Sequence, residues 1–143
     1  MCETGKETPT VTKHSETANQ ADATGDLIDR AILDQMIEDV GAENAEPLIE
    51  AFIEELAGQV RVLGEAADRA DLAAMERAAH SMKGSAATFG ATRLTGVVTS
   101  IEQAARSGQG DLATAAMGEC HWLAQASMDA MRVILIEVSG PAT

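Results

Sequence analysis

The sequence predicts an all-α fold, an antiparallel up-down four-helix bundle with a short additional N-terminal helix. Apolar residues recur every three or four positions through most of the chain, which is the period of a buried helix face. No stretch alternates apolar and polar residues over a useful length, and the β-branched residues are interspersed with helix formers, so no strand is expected. The connections between the helical segments are short, which favours antiparallel neighbours.

Composition divides the 143-residue chain into three parts. Residues 1–25 are rich in Thr, Glu, Lys, Ala and Asn and have almost no large apolar side chains, so we expect a disordered N-terminal tail. Residues 26–138 are expected to form the bundle, and residues 139–143 to form a C-terminal tail. The length suffices for one core but not for a second folded unit beside it.

Two helices are expected at the start of the bundle. The first covers about residues 26–40, and Gly41 follows it where a C-terminal cap glycine belongs. Asn44 is the expected N-cap of the second helix, which tolerates Pro47 in its first turn and ends near residue 70. Its predicted core positions are Leu48, Phe52, Leu56, Val60, Leu63 and Ala67.

The third helix, with Asp71 as its N-cap and its end near Gly90, carries the candidate site. At ~100° per residue, His80 lies about 130° from the centre of the apolar stripe, so its imidazole should face solvent or a partner. Ala73 and Ala87 share its face. The stripe itself consists of Leu72, Met75, Ala79, Met82, Ala86 and Phe89.

Two neighbours of His80 on the helix surface point to a reactive imidazole. Glycine in an exposed helix costs roughly 1 kcal/mol relative to alanine, so Gly84 indicates a requirement other than helix stability. Because residues four apart lie side by side, a glycine there lets a partner or a phosphoryl group approach the ring. The ammonium of Lys83, three residues on, could neutralise a phosphoryl group on that ring.

The last two helices complete the predicted bundle. The fourth begins around Thr92, and residues 107–110 form a turn after it. Asp111 is the expected cap of the final helix. The predicted inward positions are Leu94, Val97, Val98, Ile101 and Ala105 in the fourth helix, and Leu112, Ala116, Leu123, Ala126, Ala130 and Val133 in the last.

The run His80-Ser-Met-Lys83-Gly84-Ser85, preceded by two alanines and followed by Thr-Phe-Gly-Ala, resembles the phosphorylation motif of histidine-containing phosphotransfer (HPt) domains. The resemblance extends over about residues 26–136. Residues 78–90 are also similar to the phospho-accepting domain of chemotaxis kinases, which belongs to much longer chains.

The resemblance implies a phosphorelay intermediate rather than an enzyme. Nε2 of His80 would accept a phosphoryl group from an aspartyl phosphate on a receiver domain and pass it to an aspartate of a response regulator. Lys83 would stabilise the charge of the phosphoryl group, and Gly84 would give the partner access to the ring. Ser85 would offer a hydrogen bond from its hydroxyl. The expected partners are receiver domains of a hybrid histidine kinase or a response regulator, which would supply Mg²⁺, so this chain would need no cofactor or metal.

Two residues of the fourth helix also lie at positions whose side chains approach the site in relatives. They are Glu102 and Arg106. The family often has an amide at the position of Glu102, and a carboxylate there argues against a phosphate contact by this residue.

Three other classes of protein are alternatives to the relay. A histidine kinase dimerisation domain typically has an acidic residue after its histidine and a proline further on, whereas Ser81 follows His80, and the length leaves no room for a nucleotide-binding domain. A metal bundle needs inward Glu-x-x-His pairs, but Glu76 lies four residues from His80 on the outer face. A non-catalytic helical bundle that binds receiver domains or another signalling partner without phosphotransfer is the remaining alternative.

Charge, cysteine content and hydropathy indicate which partners and which cellular location to expect. With 23 acidic and 10 basic residues the formal charge is −13, so nucleic-acid binding is not expected. Cys2 and Cys120 make no disulfide framework, and no signal peptide or span of ~20 apolar residues is present, so we expect a cytoplasmic protein without membrane contact. Four basic residues cluster in sequence around the His80 helix: Arg77, Lys83, Arg93 and Arg106.

Overall fold

The computed structural model describes residues 27–139, which are helical with no strand. The helices are α1 (Arg30–Val40), α2 (Ala42–Asp68), α3 (Leu72–Thr88), α4 (Thr92–Arg106), α5 (Gly110–Ala115) and α6 (Met117–Ser139). The predicted all-α bundle with a short additional N-terminal helix is confirmed. Residues 1–26 and 140–143 lie outside the described residues, and with them lie the predicted N-terminal tail and most of the predicted C-terminal tail.

Four long helices form the bundle. Helix α2 packs against α3 and α6, while α4 packs against α3, α5 and α6. The short α1 packs on α2. The links between α2 and α3 and between α3 and α4 are three residues each, so these neighbours run antiparallel.

The first two helices do not begin at the residues predicted from the sequence. Helix α1 starts at Arg30, because the carboxylate of Asp29 accepts a 3.0 Å hydrogen bond from the backbone N–H of Ala31 and caps it. Helix α2 starts directly after Gly41, whose φ of 88° allows the chain to turn between the two helices. Asn44 therefore lies inside the first turn, where its side-chain amide donates to the carbonyl of Val40 at 2.8 Å.

The core lies between the long helices and is built largely from Leu, Ile, Met and Ala. Phe52 of α2 stacks on Phe89 with ring centroids 4.4 Å apart. The predicted stripes of α3 and α4 are confirmed, since their members are buried or partly buried. Leu48, in contrast, is 41% exposed, and its neighbour Ile49 takes the core position in the first turns of α2.

The last helical segment differs most from its prediction. Gln109 rather than Asp111 is the N-cap, and the segment breaks at Ala116 into α5 and α6. Leu112 and Val133 are exposed although both were predicted to face inward. The other predicted positions are confirmed, since Leu123 and Ala130 are buried and Ala116 and Ala126 are partly buried against the core. The buried residues of α6 are Met117, Cys120, Leu123, Ala124, Ser127, Met128, Ala130, Met131 and Ile134.

A backbone contact joins the start of α1 to the turn between α3 and α4. The N–H of Asp29 donates to the carbonyl of Gly90 at 2.7 Å. Gly90 has a φ of 79°, and a Cβ atom built there would lie 2.8 Å from the carbonyl oxygen of Asp29. Only glycine fits both the conformation and the contact.

Candidate functional site

His80 projects from the middle of α3 into solvent. Its side chain is 70% exposed, as the helical phase predicted, while Ala79 and Met82 on the opposite face are buried. Asp71 caps α3 through a 3.1 Å hydrogen bond from the backbone N–H of Ala74, again as predicted. The cap and the buried stripe together fix the rotation of the helix and hence the direction of the imidazole.

A buried carboxylate anchors the inner edge of the ring. Glu102 of α4 is 2% exposed, and its Oε2 lies 2.9 Å from Nδ1 of His80. A carboxylate oxygen can only accept a hydrogen bond, so the neutral imidazole must carry its proton on Nδ1. The lone pair of the ring is then on Nε2. Among the contacts of residues 27–139, none involves Nε2, which faces outward and is free to react.

Two cations keep this carboxylate charged. Nζ of Lys83 lies 2.7 Å from Oε1 of Glu102, and Nη2 of Arg106 lies 2.7 Å from Oε2. The hydrogen bond with Lys83 is the largest influence on the pKa of Glu102 and lowers it, His80 lowers it further, and burial acts in the opposite direction. The net result is a pKa below the usual value, so Glu102 is an anion at neutral pH.

Arg106 is held from both sides. Its Nε donates to Oε2 of Glu76 at 2.9 Å, and this hydrogen bond is the main reason that the pKa of Arg106 is raised. Glu76, Arg77, His80, Ser81, Glu102 and Arg106 line a shallow pocket of about 470 Å³. The imidazole therefore stands at the edge of a concave surface with alternating charges.

The surface beside the ring is open on the side of Gly84. Gly84 is exposed, and a Cβ atom built there would meet no atom within 4 Å. Lys83 is 34% exposed, so its ammonium can reach solvent from its ion pair with Glu102. The structure thus brings His80, Lys83 and Gly84 together on one exposed face.

Ser85 lies on another side of α3. Its hydroxyl accepts a 3.3 Å hydrogen bond from the side-chain amide of Gln59, which belongs to α2. A phosphoryl hydrogen bond from Ser85 stays a prediction, and the described contact ties this residue to the α2–α3 interface. Beside that interface, a groove of about 330 Å³ is lined by Glu55, Gly58, Gln59, Arg61, Val62, Ala78 and Ser81.

The basic residues that cluster in sequence separate in space. Lys83 and Arg106 meet at Glu102, and Arg77 lines the pocket beside His80. Arg93 instead lies over the ring of Trp122 in α6, with its guanidinium carbon 5.9 Å from the ring centroid.

The resemblance placed Glu102 near the site, but the sequence did not reveal its contact with His80. A signal was present, because position 102 falls on the buried face of α4 between Val98 and Ala105, where a charge needs partners. The pattern of α4 alone could not show that His80, Lys83 and Arg106 are those partners.

Within the part of the chain that the structure describes, neither a metal-binding cluster nor a membrane-spanning helix is found. No three His, Cys, Asp or Glu side chains within it are grouped as a metal site would require. No helix of residues 27–139 combines the length and the apolar character that crossing a membrane needs.

Comparison with known proteins gives matches to the Hpt domain family and to phosphorelay proteins. The family model of the Hpt domain matches residues 47–133. The phosphorelay protein LuxU of Vibrio vulnificus YJ016 is 31% identical over 83 residues, which cover 58% of this chain and 72% of LuxU. LuxU of Vibrio harveyi is 26% identical over 84 residues, 59% and 74% of the two chains.

A solved structure shares the fold. It is the crystal structure of histidine-containing phosphotransfer protein B (HptB) from Pseudomonas aeruginosa PAO1, which superposes with a TM-score of 0.73 at 24% identity. The superposition covers 76% of this chain and 94% of that one.

Proposed function

Because this chain belongs to the Hpt domain family and has a phosphotransfer role in a phosphorelay, we propose that His80 accepts a phosphoryl group from a receiver domain and passes it to a response regulator. The single observation that carries the proposal is the imidazole itself, 70% exposed and held through Nδ1 by Glu102, with Nε2 free. The phosphoryl donor and the final acceptor are aspartates of the partners.

The proposed reaction is a pair of in-line displacements at phosphorus. The lone pair on Nε2 of His80 attacks the aspartyl phosphate, the Nε2–P bond forms, and the P–O bond breaks with its electron pair leaving on the aspartate carboxylate. In the second step an aspartate oxygen of the acceptor attacks phosphorus, and the electron pair of the Nε2–P bond returns to the imidazole. The chain is a carrier and ends each cycle unchanged.

Positioning and charge neutralisation dominate phosphoryl transfer, and this site offers both. The ammonium of Lys83 can turn from Glu102 toward a phosphoryl group on the neighbouring ring. Gly84 leaves the space that a receiver and its phosphoryl group require. We propose that Mg²⁺ and the acidic residues that bind it belong to the receiver, so the chain itself contributes no cofactor.

The proposed partners are receiver domains of a hybrid histidine kinase and of a response regulator. The exposed alanines Ala73 and Ala87 on the face of His80 offer a small apolar surface on which such a domain can dock. A relay between these partners places the protein in the cytoplasm.

The test is transfer of label from a radiolabelled, phosphorylated receiver domain. We expect acid-labile, base-stable label on the native chain and none on His80→Gln. His121→Gln is the matched control, since His121 is also an exposed helix histidine but lies on α6, and this variant should be labelled normally. Receivers that bind the native chain without labelling it would refute the relay and favour the non-catalytic interaction bundle.

A further inference from the structure

We propose that the Glu102 carboxylate keeps a proton on Nδ1 of His80 through the whole phosphorylation cycle, and that this proton keeps the phosphoryl group on Nε2 labile. Glu102 is thereby a positioning residue that sets the lifetime of the phosphorylated protein. The inference rests on the proposed function and concerns the position at which the sequence departs from the amide often found in the family.

The geometry of the unphosphorylated site supports the first half of this inference. Oε2 of Glu102 lies 2.9 Å from Nδ1, and the residue is 2% exposed, so water does not compete for the hydrogen bond. The carboxylate has no proton to donate and can only accept the one on Nδ1. An amide in its place offers both an acceptor and a donor, and therefore does not select the tautomer.

The surrounding charges keep the carboxylate ionised. The charged groups that face it are Lys83 from α3 and Arg106 from α4, each with a 2.7 Å contact. Glu76 contacts Arg106, and Arg77 lines the same pocket. Helix α2 also packs on α3, and it brings Glu55 and Arg61 to the groove beside Ser81. If Lys83 turns to a phosphoryl group, Arg106 still balances Glu102.

The consequence follows from the electron count of the second step. With a proton on Nδ1, the phosphorylated ring carries a positive charge, and cleavage of the Nε2–P bond returns a neutral imidazole. Without that proton the leaving group would be an imidazolate anion, which is far less stable. The negative charge of Glu102 stabilises the protonated ring, so the transfer-competent form persists to higher pH than it would beside an amide.

The pH dependence of phosphoryl loss tests this inference without any receiver. The full chain and Glu102→Gln are phosphorylated with phosphoramidate, and decay of the His80 phosphoryl signal, identified by its absence in His80→Gln, is followed by ³¹P NMR between about pH 6 and 10. In both proteins decay should slow as the Nδ1 proton is lost. We expect the pH of half-maximal decay to be lower in Glu102→Gln by about 1–3 units, the usual effect of one adjacent charge.

A matched control separates the Nδ1 contact from net charge. Glu76→Gln removes one negative charge from the same pocket, but Glu76 contacts Arg106 and not the ring. It should leave the pH of half-maximal decay near that of the native chain. An equal displacement in Glu76→Gln, or none in Glu102→Gln, would overturn the inference.

A second measurement does not depend on how the variants fold. The ¹⁵N chemical shifts of the His80 ring in the native, unphosphorylated chain at about pH 8 should report a proton on Nδ1. A predominant Nε2–H form would also overturn the inference. Failure of the proposed function looks different, because then a phosphorylated receiver would not label His80 of the native chain, whereas phosphoramidate could still phosphorylate it.

Discussion

Oε2 of Glu102 and Nδ1 of His80 lie 2.9 Å apart, although one residue is 2% exposed and the other 70%. The contact crosses from α4 to α3 and joins the core to the surface. It fixes one nitrogen of the imidazole and leaves the other in solvent, which is the arrangement that a nucleophile needs when its partner is another protein.

Gly84 provides a test of access to this nucleophile. Gly84→Gln should stabilise α3 by roughly 0.5 kcal/mol, because glutamine is a better helix former than glycine. It should nevertheless slow labelling by a phosphorylated receiver by about tenfold or more, since the new side chain stands beside the ring and displaces the partner. Urea unfolding and the initial rate of label transfer measure the two effects.

The matched control for Gly84 lies on α4. Gly96 is also an exposed helix glycine, with no atom within 4 Å of a Cβ built there. Gly96→Gln should give a similar gain in stability and normal labelling. Equal labelling of the two variants would contradict the role given to Gly84.

Acid should destabilise the protein partly through Glu102. The pKa of this carboxyl is held below its ordinary value, mainly by Lys83, so the folded state binds its proton less readily than the unfolded chain does. Its contribution to stability is complete above about pH 4.5 and is lost as the pH falls through the lower, folded-state pKa. The free energy of unfolding should therefore fall less between about pH 5 and 3 in Glu102→Gln than in the native chain.

The appropriate comparison for this pH effect is again Glu76→Gln. Glu76 contacts Arg106 and not the buried carboxylate, so this variant should keep the native acid dependence. Urea unfolding at a series of pH values measures it. Identical slopes for the native chain and Glu102→Gln would show that the network contributes nothing to acid stability.

The placement of His80 could be predicted from the sequence because α3 is a regular helix with a cap. Asp71 fixes its start, and the stripe through Met75, Ala79 and Met82 fixes its phase. One exposed position on such a helix can be assigned from arithmetic alone.

The inward face of the last helical segment was predicted only in part. Leu123 and Ala130 are buried as predicted, whereas Leu112 and Val133 were assigned to the core and are exposed. The break at Ala116 into α5 and α6 was not predicted, and no proline marks it. The resemblance placed Glu102 near the site, but its contact with His80 could not be predicted, because a charge on a buried face can be interpreted only when the helix opposite it is known.

Cys120 should be unreactive in the folded protein. The thiol is buried, and burial, assisted by the charge of Glu119, raises its pKa to about 12, so almost no thiolate exists near neutral pH. In a Cys2→Ser variant, Ellman's reagent at about pH 8 should detect no thiol in the folded state and one in denaturant. Rapid reaction of the folded variant would contradict this expectation.

Gly90 should tolerate substitution less than Gly41, although both have a positive φ. Gly41→Ala meets no atom within 4 Å and should cost only the strain of a left-handed alanine, about 1 kcal/mol. Gly90→Ala adds a Cβ 2.8 Å from the carbonyl oxygen of Asp29, whose own N–H is bonded to Gly90, so the start of α1 must move away. We expect a loss of about 2–3 kcal/mol in urea unfolding. Equal losses in the two variants would show that α1 is not held by this contact.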